Sequence, residues 1–141
     1  MPRGVIAKLA RVWEANNTRA TLFADEILPS IPDGESVYVY APTLLRARDM
    51  LALIPDDARL GEVRARSMHQ SVFKYRGDAP DNIVFLDYNE FTKTFWYQFA
   101  YPLLQVGGRK VHLVKNGSVP SKPWFEPFKP PFPDDWEHHV V

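Results

Sequence analysis

The residues best placed to do chemistry are Asp87 and Glu90, at the end of the stretch NIVFLDYNEFTK, residues 82–93. Carboxylates this close can hold Mg²⁺ for phosphodiester or phosphomonoester cleavage, with Lys93 nearby to assist a nucleophile. The same residues have a structural reading, in which Asp87 or Asn89 caps a following helix and Glu90 favours its dipole. A second group is basic: Arg59, Arg64, Arg66, Lys74 and Arg76 fall in one segment with His69 and Tyr75 among them. On a strand Arg64 and Arg66 project to the same face. Such a patch can follow a phosphate backbone or an acidic protein, and it can equally be the charged guard of an edge strand. His112, inside KVHLVK, reads as a half-buried sheet residue and not as a ligand. His138 and His139 could bind a stray metal ion, but, adjacent on an extended chain, they point to opposite sides and read as exposed. No G-x-S-x-G surrounds Ser67 or Ser71, so a serine hydrolase has no support.

These groups must be carried by a scaffold, and its main beam is the apolar run Ile83 to Leu86, which ends at Asp87. An uninterrupted run of this kind reads as a strand buried on both faces. SVYVYAPT, residues 36–43, reads likewise as a strand followed by Thr43 as a helix N-cap. Leu44, Ala47, Leu51 and Ile54 then form a helical stripe ending at Pro55. Upstream, two short amphipathic helices are expected, the first over Val5 to Glu14 and the second opening at Thr18 with Leu22, Phe23, Ile27 and Leu28 on one side. Glu62 to Ser67 alternates as a strand does, and Ser71 to Tyr75 is a second short apolar segment. A helix from about Glu90 to Gln105 carries Phe91, Phe95, Phe99, Leu103 and Leu104, with Pro102 as a kink or stop. KVHLVK, residues 110–115, is the last strand of the body.

Strands alternating with helices imply a mostly parallel sheet with helices on its faces: an α/β, three-layer, Rossmann-like single domain over residues 1–118. Residues 119–141 differ in kind, because six of the 13 prolines lie between Pro120 and Pro133, interleaved with Trp124, Phe125, Phe128, Phe132 and Trp136. That composition reads as an extended Pro/aromatic tail. Its rings either complete the core of their own domain or dock on a partner or sister subunit, as in a homodimer.

Composition excludes several classes. Seventeen basic and 17 acidic side chains in 141 residues give no net charge, which argues against bulk binding to nucleic acid or anionic membrane while leaving room for a local basic patch. The absence of cysteine removes thiolate catalysis, disulfides and cysteine-ligated zinc. No apolar run is long enough to span a bilayer, and MPRGVIAKLARVWEANN lacks a leader's apolar core, so a soluble, cytoplasmic protein is expected.

VYVYAPTLLRAR resembles the strand and turn known as motif Ia in helicase-like and viral terminase ATPases. IVFLDYNEF resembles their Walker B strand, and KVHLVKNGS stands where they carry the next core strand. The likeness covers about 80 residues, from Ser36 to Ser118. It implies a sheet of that type in an accessory protein, viral on this likeness, of a nucleic-acid-processing machine. It does not extend to nucleotide chemistry, since no G-x-x-x-x-G-K-[ST] run is present to wrap phosphates. The resulting expectation is a non-enzymatic binding or accessory protein with no cofactor. The alternatives are a Mg²⁺-dependent nuclease or phosphoesterase using Asp87 and Glu90, and an assembly subunit using the aromatic tail.

Overall fold

The computed structural model describes residues 18–69, Tyr75, 77–105, 108–120 and 136–141. The helix expected over Val5 to Glu14 and most of the Ser71 to Tyr75 segment lie outside them. Among the described residues the chain runs through helix α1 (residues 18–30), β1 (Val37–Ala41), α2 (Leu44–Leu51), β2 (Val63–Ser67), β3 (Asn82–Leu86), α3 (residues 93–105), β4 (Lys110–Lys115) and β5 (Trp136–Val140). The five strands form one sheet in the order β2-β1-β3-β4-β5, and every neighbouring pair is parallel. This is the expected α/β architecture.

Burial follows position in the sheet. β1 and β3 are buried at all five residues, which is why VYVYA and NIVFL have no polar alternation. β2 and β5 are the edges, and both are partly exposed. On one face Tyr40, Phe85 and Leu113 pack under α3, whose Phe95, Trp96 and Phe99 close an aromatic layer with Tyr75 and Phe91. Rings there meet edge to face, with centroids 5.4 Å apart for Tyr40 and Phe85 and 5.7 Å for Phe85 and Phe91. On the other face Val37, Val39, Val84 and Leu86 meet Phe23 and Ile27 of α1 and Ala47 and Met50 of α2. Each of these side chains larger than alanine contributes about 1.5–3 kcal/mol by leaving water.

Helix ends follow local chemistry. Thr43 caps α2, its hydroxyl accepting from the Arg46 N–H at 3.3 Å. α3 begins later than the apolar pattern suggests. Residues Tyr88–Glu90 form a single 3₁₀ turn, and Thr92 is the cap, its hydroxyl accepting from the Phe95 N–H at 3.2 Å. Neither Asp87 nor Asn89 is therefore the cap of this helix. Pro102 does not end α3, for the turn before it is wide, with the Tyr101 N–H reaching back to the Trp96 carbonyl.

The last strand comes from the end of the Pro/aromatic segment. Trp136 to Val140 pairs with β4 in the register Val111↔Trp136 to Lys115↔Val140, as an edge strand of the body's own sheet. Val141 N–H then donates to Lys115 O at 2.9 Å, and Gly117 N–H to Val141 O at 2.7 Å. A Cβ on Gly117 would lie 2.8 Å from the Val141 carbonyl oxygen, so a side chain there would push the strand away. Trp136 packs against the aromatic layer. Trp124, Phe125, Phe128 and Phe132 lie outside the described residues.

Candidate functional site

In doubly wound sheets ligands sit beyond the carboxyl ends of the strands, where the strand order reverses. Here that point lies between β1 and β3, and it is occupied by side chains of opposite charge. Asp87 follows β3 directly, in a left-handed backbone conformation (φ 53°, ψ 43°) that aspartate tolerates better than most residues. It is wholly buried, so the strand does not deliver this carboxylate to solvent. Arg19 Nε of α1 donates to one of its oxygens at 2.9 Å, and Arg46 NH1 of α2 donates to the other at 2.9 Å. Arg46 also donates to Glu90 at 2.8 Å, and Asn116 Nδ2 donates to the same Glu90 oxygen at 3.1 Å.

The electrostatics follow from the geometry. Burial pushes the Asp87 carboxyl above its ordinary range, and Arg19, then Arg46, pull against that while Glu90 adds repulsion. Burial also works against the charge of Arg46, but Glu90 and Asp87 outweigh it and hold the guanidinium above its usual value. Two carboxylates and two guanidiniums thus neutralise one another where a cation would have to sit. A cavity of about 290 Å³ opens beside them, with Arg19, Arg46, Met50, Leu53 and Leu86 in its wall. Asn89 is a structural clamp: its amide donates to the carbonyls of Asn116 (3.0 Å) and Val119 (2.9 Å) and accepts from Asn116 N–H at 2.9 Å.

The basic segment divides. Arg64 and Arg66 do share a face, opposite Tyr38 and Tyr40 in register. Arg66 is spent inside the protein, forking onto Asp78 at 3.2 and 3.0 Å with its guanidinium carbon 4.8 Å from the Tyr75 ring centroid. Tyr40 also donates to Asp78, at 2.8 Å. Arg64 is about half exposed and meets only the exposed Glu62, at 3.2 Å, among the ion pairs of the described residues. Arg59 is exposed beside the start of the sheet, its carbonyl accepting from Gly34 N–H. Lys74 and Arg76 lie outside the described residues.

A third cluster was not legible in the chain order. His112 of β4 and Glu137 and His139 of β5 lie on one face of adjacent strands, and one ligand atom from each falls within 4.8 Å of the others. His112 is fully buried rather than half-buried, and neither of its ring nitrogens makes a hydrogen bond. Burial pushes its imidazole down to about 4, against the weaker upward pull of Glu137. His138 and His139 do point to opposite sides. His138 meets the Tyr88 hydroxyl at 2.7 Å across one face, whereas His139 turns in towards His112 and is only 16% exposed. The signal that would have exposed this cluster is the alignment of KVHLVK with WEHHV as parallel neighbours, and it depends on knowing that the chain's end returns to the sheet.

No known protein family matches the chain, and neither a curated protein nor a solved structure matches it. Its chemistry has to be read from its own side chains. Among the described residues no helix is long and apolar enough to cross a membrane.

Proposed function

We propose that this chain works by binding and not by turnover at the switch point, as an accessory protein whose partner is nucleic acid. The observation that carries this reading is the state of Asp87: both of its oxygens accept from guanidiniums, and Arg46 extends the same neutralisation to Glu90. A Mg²⁺-dependent phosphoesterase would need Arg46 to withdraw from the buried Asp87, and breaking a pair at a buried carboxylate costs several kcal/mol. The contact surface in this reading is the β2 edge, where Arg59 and Arg64 are exposed and Arg66 holds the strand in place. The likeness of Ser36 to Ser118 to a helicase-like or terminase core without its P-loop is consistent with such a role.

The test is binding of single-stranded and duplex oligonucleotides across a salt series. Arg59→Ala and Arg64→Ala should each weaken binding at all sequences and lower the salt slope by about 1. Binding that is unchanged in the double variant, or a Mg²⁺-dependent cleavage lost in Glu90→Gln, would overturn the proposal.

A further inference from the structure

We propose that His112, Glu137 and His139 form a binding site for one zinc-type divalent transition-metal ion, held between the last two strands of the sheet. The donor set is two imidazoles and one carboxylate, a combination suited to zinc and its neighbours and poorly suited to Mg²⁺ or Ca²⁺. The spacing fits as well. Glu137 Oε2 lies 3.2 Å from His112 Nδ1 and 3.6 Å from His139 Nε2. Zinc bonds of roughly 2.0–2.1 Å arranged tetrahedrally place ligand atoms about 3.3 Å apart, between those two distances.

A second observation points the same way. His112 is fully buried, and both of its nitrogens, like Nε2 of His139, lack a hydrogen bond. A buried polar group left unbonded costs about 1–3 kcal/mol, and native interiors rarely tolerate it without a ligand to account for it. The 3.2 Å approach to Glu137 is a close contact whose angle is wrong for a hydrogen bond. The surroundings supply the outer support that metal sites use. Lys110 Nζ holds the other carboxylate oxygen of Glu137 at 2.7 Å, leaving Oε2 directed at the imidazoles. Glu26 of α1 lies 3.8 Å from His139 Nδ1, beyond hydrogen-bond reach, and adds one more negative charge beside the two imidazoles. The two rings are stacked, 18° from parallel with centroids 5.8 Å apart, so binding turns at least one of them to aim both lone pairs at a single point.

Calorimetric titration of the full chain, purified without a histidine tag, with Zn²⁺ alone tests the site. One equivalent should bind in the micromolar range or tighter, with a rise in melting temperature, and Co²⁺ in its place should give the intense visible bands of a tetrahedral ion. Glu137→Gln and His139→Ala should each weaken Zn²⁺ on the order of 100-fold. His138→Ala, on the opposite face, should leave affinity unchanged. Because His112→Ala empties a buried position and can unfold the chain, the edge-strand variants carry the test. Should they also fail to fold, the Co²⁺ spectrum of the unaltered protein decides. No stoichiometric binding, a pale octahedral Co²⁺ spectrum, or Zn²⁺ affinity indifferent to Glu137→Gln and His139→Ala would overturn the proposal.

Discussion

The carboxyl end of β3 and the seam between β4 and β5 both gather titratable side chains, with opposite degrees of satisfaction. At the first, Asp87 and Glu90 are matched by Arg19 and Arg46, and every oxygen of Asp87 has a donor. At the second, two imidazoles and a carboxylate converge while three ring nitrogens make no hydrogen bond. The first region has acidic residues where ligands of doubly wound sheets usually sit, yet its interactions are complete within the chain. The second lies in an unremarked pair of strands and has capacity to spare. Residue type alone would rank the two the other way round. What separates a structural cluster from a ligand site here is whether the protein's own groups consume the bonding capacity.

The largest effect should come from breaking the satisfied cluster. Asp87→Ala leaves Arg19 buried without its partner and should cost about 3–5 kcal/mol in denaturant unfolding, whereas Asp87→Asn, which keeps the left-handed backbone and one acceptor, should cost less. An Asp87→Ala protein as stable as the parent would remove the contrast between the two regions.

Next in size is the clamp on the loop after β4. Asn89→Ala deletes three hydrogen bonds to residues 116–119 and should lower stability by about 1–3 kcal/mol. Since that loop leads towards β5, the same change should speed hydrogen exchange at β5 amides more than at β1. Uniform exchange across both strands would show that the seam does not depend on this anchor.

A smaller effect concerns alkaline pH. Burial pushes the Tyr88 phenol up to about 12 from its ordinary 10. The folded value is raised, so the folded state keeps the proton longer. The stability this contributes is complete below pH 10 and is lost as pH rises from 10 towards 12. Tyr88→Phe should flatten that part of the stability curve, and a curve identical to the parent's would contradict the assignment. The smallest effect should be Arg64→Ala, which disturbs an exposed pair with Glu62 and should leave the denaturant midpoint within error of the parent's. Its consequence belongs to partner binding.

The parts of this fold that sequence reveals are those set by local burial. Val37 to Ala41 and Ile83 to Leu86 are apolar on both faces because helices cover both, and Thr43 caps α2 through its neighbours alone. The sites were less legible because their members meet only in three dimensions. Arg19 reaches Asp87 across 68 positions of sequence, and neither position marks the other. His112 joins His139 through the pairing of β4 with β5, which the prolines before Trp136 disguise as a tail. The cap at Thr92 is local but is masked by Asp87 and Asn89, which carry equally good capping chemistry three to five residues earlier.

The account is tested most directly by anomalous diffraction from crystals grown with Zn²⁺ and, separately, with Mn²⁺ as a stand-in for Mg²⁺. It predicts a single zinc peak bounded by His112, Glu137 and His139, and in both cases Arg19 and Arg46 still bonded to Asp87 with no peak beside them. A Mn²⁺ peak between Asp87 and Glu90 with Arg46 displaced, and none between β4 and β5, would contradict it.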